Sequence, residues 1–189
     1  MPNRTGTYAL ALAAVLAAGC SSPAQRLAEG ARLCDRAIEI GNLDLAETYC
    51  RRALGEPGSG TLAPAVESRR LLTLGRVLRQ RARYAEALAL VSRSLELERQ
   101  DESPDQGAVA ARQVELGLIH AGRGDWRAGA LSLEASLDGV DALSGADREL
   151  AAHVLRQYAR RGGGVMGADR VARFRTAAQA LEDQATVSP

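Results

Sequence analysis

Three cysteines and two histidines are the first residues of this chain to consider for chemistry beyond packing. His120 and His153 stand in neither an H-E-x-x-H motif nor a cysteine–histidine spacing, which gives a zinc site little support. The sequence has no G-x-S-x-G motif and no phosphate-binding loop, and none of its carboxylates is paired in a way that indicates acid–base work. We therefore predict that the chain is not an enzyme and has no catalytic residue, metal, cofactor or small-molecule substrate.

Cys20 ends a segment that has the three parts of a secretory signal. Arg4 supplies a positive charge, residues 8–18 form an uncharged apolar run, and small residues precede Cys20. A run of about a dozen apolar residues is too short for a membrane-spanning helix, which needs about twenty. Residues 1–19 are therefore predicted to be a signal peptide.

The Ala-Ala-Gly-Cys ending resembles the lipobox of bacterial lipoproteins, although Ala17 stands where the family usually has Leu. The resemblance implies that Cys20 carries the lipid and becomes the mature N-terminus, followed by a polar tether over residues 20–25. The alternative is an ordinary signal peptide cut at an Ala-x-Ala-like site. Ser21 resembles an outer-membrane sorting signal, so we expect the periplasmic face of the outer membrane. In a host with a single membrane, the anchor would lie on the outer face of the plasma membrane.

An internal repeat predicts the fold of the remaining chain. Leu33-Cys34, Leu74-Gly75 and Leu116-Gly117 are 41 and 42 residues apart, and two further columns downstream keep the same spacing. Apolar residues recur at helical spacing in residues 69–81 and 84–98, separated by a short turn. Each unit is thus predicted to be a helical hairpin, whose small residues allow the two helices to approach closely.

A fourth, degenerate unit is predicted from residues 147–161 and 168–184, with a frayed tail over 185–189. The last helix is polar on one face, as suits a cap. Helix starts are expected at Pro64, at Ser103-Pro104 and near Ser144.

The repeated unit resembles the tetratricopeptide repeat, in its long-period, kinesin-light-chain-like variety. The shared pattern is Leu-Gly, a Gly turn, an aromatic residue, Ala and a closing Ala-Leu. Trp126 and Tyr84 take the aromatic place. The resemblance implies an all-α fold over residues 26–184: a short right-handed superhelical solenoid of antiparallel helix pairs, with about three and a half repeats and a capping helix. HEAT-type repeats, which have a similar period, are the alternative.

The same resemblance implies that the first helices of successive hairpins line a concave groove that binds a peptide or a helix. An arginine stripe there would suit an acidic segment, because guanidinium groups bond carboxylates in pairs. Alternatively, these arginines lie on solvated faces and pair with neighbouring glutamates. The predicted contact residues are Arg69, Leu72, Arg76, Arg79, Val114, Leu118, Arg156 and Arg160.

Cys34 and Cys50 are predicted to form a disulfide in the first hairpin. Antiparallel packing of the two helices brings their positions together, and an exported protein meets an oxidising compartment. The bridge would close a loop of seventeen residues, counting both cysteines, and stabilise the fold by about 3 kcal/mol. The alternative is two reduced core cysteines.

Composition limits the class of partner. The net charge is +1, with 24 basic and 23 acidic residues, which gives no electrostatic case for nucleic acid. We expect a lipid-anchored scaffold or assembly factor that binds another protein in the cell envelope. A regulatory adaptor for a peptidoglycan enzyme or a receptor is the alternative, and an envelope enzyme with an unrecognised site is a more distant one.

Overall fold

The computed structural model describes residues 22–55, 62–161 and 166–187, with side chains up to residue 184. This part of the chain folds into eight α-helices and one 3-10 turn, and it contains no strand. The predicted signal peptide and the lipidation site Cys20 lie outside the described residues. The helices are α1 (Pro23–Glu39), α2 (Leu43–Leu54), α3 (Pro64–Gln80), α4 (Tyr84–Arg99), α5 (Gln106–Gly122), α6 (Trp126–Ser136), α7 (Gly145–Arg161) and α8 (Ala168–Val187), with the 3-10 turn at Val140–Ala142.

The helices pack as four consecutive pairs stacked in sequence order. Helix α1 packs on α2, α3 on α4, α5 on α6, and α7 on α8, while α2 contacts α3 and α4 contacts α5. The first helices α3, α5 and α7 also contact one another in that order. A stack of this kind buries the face that a single hairpin would expose. The structure confirms the predicted all-α solenoid of antiparallel helix pairs.

The turn inside each of the first three hairpins places one residue in the left-handed region. Gly41 has φ 71° and Gly124 has φ 80°, a conformation that glycine adopts without a Cβ penalty. The equivalent residue of the second hairpin is Ala82, with φ 58°. The backbone of the turn is therefore the same in all three units, although only two of them carry glycine.

Small residues set the distance between the helices of each pair, as the sequence predicts. A Cβ on Gly75 would overlap the side chain of Val91, and a Cβ on Gly117 would lie 2.9 Å from Cγ of Leu133. In the first hairpin the equivalent positions hold Cys34 and Cys50, which the structure joins in a disulfide with a Cα–Cα distance of 4.9 Å. The disulfide thus takes the place of a glycine packed against a large aliphatic side chain.

The fourth hairpin keeps the period more closely than its sequence indicates. Tyr158-Ala159 follows Leu116-Gly117 by 42 residues, and Val171 follows Gly129 by the same interval. Tyr158 and Val171 are both buried. The tyrosine hydroxyl donates a hydrogen bond to the carbonyl oxygen of Gly117 at 2.7 Å. The fourth repeat is hard to recognise in the sequence because its side chains differ from those of the other units, although its helices stack in the same register.

Helix ends differ from prediction at three places. Helix α1 begins at Pro23, because Ser22 caps it and forms a capping box with Gln25, so residues 23–25 are not a tether. Helix α5 is capped by Asp105, whose side chain accepts from the amide of Ala108, and not by Ser103. The backbone of α8 continues to Val187, beyond the predicted end at residue 184.

Candidate partner-binding groove

The first helices of the second, third and fourth hairpins enclose an open cavity of about 390 Å³. The amino-terminal halves of α3 and α5 form two of its walls, and the residues around the start of α7 close the third side. Three arginines and three carboxylates line it, so the formal charges of the lining balance. These six residues are Arg69, Arg76, Arg112, Glu98, Asp105 and Asp147.

Arg76 connects three successive first helices across this groove. Its Nη2 atom lies 2.5 Å from Oδ1 of Asp147 on α7, and its Nε atom lies 3.5 Å from Oε2 of Glu115 on α5. Glu115 is fully buried and also accepts a hydrogen bond from Arg79. The contact between Arg76 Nε and Glu115 Oε2 is not a hydrogen bond. Neither of these two buried atoms has a hydrogen-bond partner among the described residues. Arg76 and Arg79 are therefore engaged within the chain.

Arg112 forms the floor of the cavity and is almost completely buried. Its guanidinium donates to the hydroxyl oxygens of Ser94 and Ser68, each at 2.8 Å, and lies 2.8 Å from Oε2 of Glu98. The two serines also hydrogen-bond each other's backbone carbonyls, at 2.9 Å and 2.7 Å. A buried guanidinium needs such a complete set of acceptors, because an unpaired buried charge is strongly unfavourable.

The three arginines of the cavity lie close enough to affect one another. Burial lowers the pKa of Arg112, and the charges of Arg76 and Arg69 lower it further, while Glu98 and Asp105 oppose this. Arginine stays protonated in proteins. The lowered pKa therefore reflects mainly the burial of the guanidinium, and Glu98 is the carboxylate that offsets it most.

The structure separates the predicted contact residues into three groups. Val114 is buried in the core and does not line the cavity, which corrects that part of the prediction, whereas Leu72 is largely buried but does line the cavity. Val114 lies on α5, which contacts both α3 and α7, so neighbouring helices cover it. Leu118 is partly buried against the core of the last two hairpins.

The remaining predicted residues are arginines in different states. Arg76 and Arg79 are paired as described above, and Arg156 pairs with Glu182 of α8. These pairs follow the alternative interpretation of the stripe, in which arginines pair with acidic residues of the chain. Arg69 and Arg160 are exposed, and neither has an ion pair within the described residues. Of these two, only Arg69 lines the cavity.

Sequence reasoning missed the residues that complete the cavity. The sequence predicts only a helix start for Asp147, and it predicts no groove role for Glu98, Asp105 or Arg112. A signal was present at Arg112, since a charged residue interrupts the apolar run of α5. Nothing in the sequence shows that Asp147 reaches Arg76, because the two residues are 71 positions apart.

A smaller cavity of about 240 Å³ lies between the first two hairpins, next to the disulfide. Asp35, Arg69 and Arg70 line its polar side. Arg70 is held in place by a hydrogen bond to the backbone carbonyl of Ala53. This cavity extends the groove toward the first hairpin, with Arg69 lining both cavities.

The histidines lie apart from these cavities. His120 is partly buried near the end of α5, and burial lowers its pKa. His153 is exposed on α7. Among the described residues no group of three histidine, cysteine or carboxylate side chains is arranged to hold a metal ion. Nor is any described helix long and apolar enough to cross a membrane.

Comparison with known proteins gives no relative on which an assignment could rest. No protein-family model matches the chain, and no curated protein is similar to it.

Proposed function

We propose that this protein is a membrane-anchored scaffold of the bacterial cell envelope, which binds a segment of another protein in the groove formed by its first helices. The observation that carries the proposal is the open cavity between α3, α5 and the start of α7. It is lined by charged side chains on regular helices, which give a rigid and polar surface. Such an open groove suits an extended or helical guest better than a small substrate, which would need a more enclosed pocket.

Membership of the tetratricopeptide family is part of this proposal. It is supported by the stacked helix pairs and by the role of the aromatic residue that follows the turn. The ring of Tyr84 lies against Gly122 of the next hairpin. Trp126 likewise packs on Tyr158 of the hairpin after it, with ring centroids 5.0 Å apart. An aromatic residue at this place thus joins one repeat to the next in two successive units.

The anchor rests on the sequence of the signal segment, and it is tested by removing the thiol. We expect the full chain to incorporate an alkyne fatty-acid analogue and to sediment with membranes. The Cys20→Ala variant should lose the label and leave the membrane fraction. Unlabelled wild-type protein in the soluble fraction would show that the lipid anchor is wrong.

Binding in the groove is tested with a photo-crosslinking amino acid placed at Thr73, which lines the cavity. The matched control is the same residue at Ala89, which is exposed on the second helix of the same hairpin. We expect a discrete crosslinked product in the native envelope from position 73 and none from position 89. Equal products from both positions, or none from either, would argue against the groove.

A further inference from the structure

We propose that Asp147 occupies the place of a carboxylate supplied by the partner, so that the groove binds an acidic segment by exchanging an internal carboxylate for an external one. This inference rests on the proposed function and names the chemistry of its partner. It also makes Asp147 an internal competitor that weakens binding until it is displaced.

The first support is the position of the Arg76–Asp147 pair. Both side chains are partly open to solvent, 31% for Arg76 and 37% for Asp147, and both line the cavity. An ion pair at this exposure contributes little to stability, because solvent screens it. A guest can therefore replace Asp147 at little energetic cost.

The second support is that Arg76 stays in place when Asp147 leaves. Its Nε atom faces the fully buried Glu115, which keeps the guanidinium at the groove wall. Arg76 lines the cavity, so the Nη2 atom that Asp147 releases is available to a guest there. A preorganised guanidinium binds a carboxylate with less loss of side-chain freedom than a mobile one.

The third support is the charge of the cavity. Its three arginines and three carboxylates balance only while Asp147 is counted. Displacement of Asp147 leaves three arginines and two carboxylates lining the cavity, an excess of one positive charge. An incoming carboxylate restores the balance.

The fourth support is Arg69, which lies on the same face of α3 as Arg76. Seven residues separate the two, which is two helical turns or about 10.5 Å. Arg69 has no ion pair in the described part of the chain, so it can bind a carboxylate without any exchange. The pattern fits a guest that carries at least two acidic side chains about 10 Å apart, a distance that an extended segment covers in three residues.

The test measures binding of a fluorescein-labelled hexaglutamate peptide to the full chain by fluorescence anisotropy at low salt. We expect Asp147→Asn to tighten binding by about fivefold, because a weak internal competitor is removed. Asp141→Asn is the matched control, since Asp141 is exposed in the preceding 3-10 turn. It makes the same change of net charge, and it should leave the affinity within about twofold.

A second pair of variants tests the unpaired arginine. Arg69→Glu should weaken binding about tenfold. Arg127→Glu, at an exposed arginine of α6 outside the cavity, should have little effect. Far-ultraviolet circular dichroism and the melting temperature establish that all four variants are folded.

Three outcomes would overturn the inference: equal effects of Asp147→Asn and Asp141→Asn, equal effects of Arg69→Glu and Arg127→Glu, or equal binding of a hexaglutamine peptide. Displacement of the peptide by inorganic phosphate at lower concentration than by acetate would reassign the site to phosphate. If crosslinking at position 73 succeeds while hexaglutamate fails to bind, the groove function stands and only the acidic partner is wrong.

Discussion

At the scale of single residues, the chain departs from its own repeat at Ala82. This residue holds a left-handed conformation with φ 58°, while its counterparts Gly41 and Gly124 need no Cβ there. The left-handed region costs a residue with a Cβ about 1–2 kcal/mol. Ala82 therefore carries backbone strain that the other two turns avoid.

We predict that Ala82→Gly raises the free energy of unfolding by about 1 kcal/mol, because the relief of strain exceeds the added freedom of the unfolded chain. The same substitution at Ala89, in the exposed interior of α4, should lower it by about 1 kcal/mol. Urea denaturation of both variants measures the difference. A loss of stability in Ala82→Gly would contradict the strain argument.

Glu47 is a buried carboxylate that holds three arginines of the first two hairpins. It accepts from Arg51 at 2.9 Å and pairs with Arg81 and Arg83. Burial alone would raise the pKa of Glu47, but the hydrogen bonds and charges of Arg51 and Arg83 outweigh it and keep the pKa below 4.5. The carboxylate therefore stabilises the fold above that pH, and the contribution is lost as the pH falls through the lowered pKa.

We predict that Glu47→Gln lowers the free energy of unfolding by about 2 kcal/mol at neutral pH. The gap between wild type and variant should narrow as the pH falls below about 4, because the wild-type carboxylate is then protonated. Glu86 and Glu134 also have lowered pKa values, so the stability of the Glu47→Gln variant still depends on pH in the acid range. A gap that stays constant from neutral to acid pH would refute this role.

At the scale of helices, close approach is set by pairs of one small and one large residue. Gly129 shows this between hairpins: a Cβ there would collide with the hydroxyl of Tyr158, which bonds the carbonyl of Gly117. Tyr158 is fully buried and packs on Trp126 at 5.0 Å. The third and fourth hairpins are thus joined through one tyrosine and two glycines.

We predict that Gly129→Ala lowers the free energy of unfolding by about 2 kcal/mol, despite the better helix propensity of alanine. In a Tyr158→Phe background the cost should fall by at least about 1 kcal/mol, because the hydroxyl that the new methyl meets is gone. Chemical denaturation of the four members of the double-mutant cycle gives the coupling. If the effects of Gly129→Ala and Tyr158→Phe on the free energy of unfolding are strictly additive, the new methyl group does not meet the tyrosine hydroxyl.

The first hairpin solves the same packing problem with covalent chemistry. Cys34 and Cys50 occupy the positions of Gly75 and Val91, and the sequence could predict their pairing because the repeat aligns the two helices. Fixing these helices together constrains the unfolded chain, which is the usual origin of the stability that a disulfide gives. The hairpin that follows the predicted anchor is thereby the one that is cross-linked.

At the scale of the whole molecule, the apolar core is divided into two clusters. One cluster extends from the disulfide hairpin to Leu116 and Ile119 of α5, and the other fills the last two hairpins. Between α3, α4 and α5 lies the buried polar group of Ser68, Ser94 and Arg112. Polar contacts therefore carry part of the coupling between the second and third hairpins.

We predict that Arg112→Ala lowers the free energy of unfolding by about 3 kcal/mol, because Glu98 and the two serines lose their buried partner. Hydrogen exchange should show faster opening in α3 and α5 together, with less change in α8, which lies two helices away from α5. Arg93→Ala, at an exposed ion pair of α4, is the matched control and should cost less than about 1 kcal/mol. A uniform loss of protection from hydrogen exchange along the chain would argue against a local role of Arg112 between the second and third hairpins.

The sequence by itself determined the number and pairing of the helices, the turns and the disulfide. These features depend on near neighbours: periodic apolar residues, left-handed turn residues and a repeat that aligns equivalent positions. Helix starts at Ser22 and Asp105 were less well determined, because several polar residues near each loop could cap.

Only the tertiary structure decided which groove residues are free. Val114 has the spacing of a groove residue but is covered by neighbouring helices, and Arg76 meets Asp147 from 71 positions away. Whether an arginine faces solvent or an acidic partner depends on the distance between stacked hairpins. That distance follows from small-to-large contacts such as Gly75 with Val91 and Gly129 with Tyr158, which arise only when the helices pack.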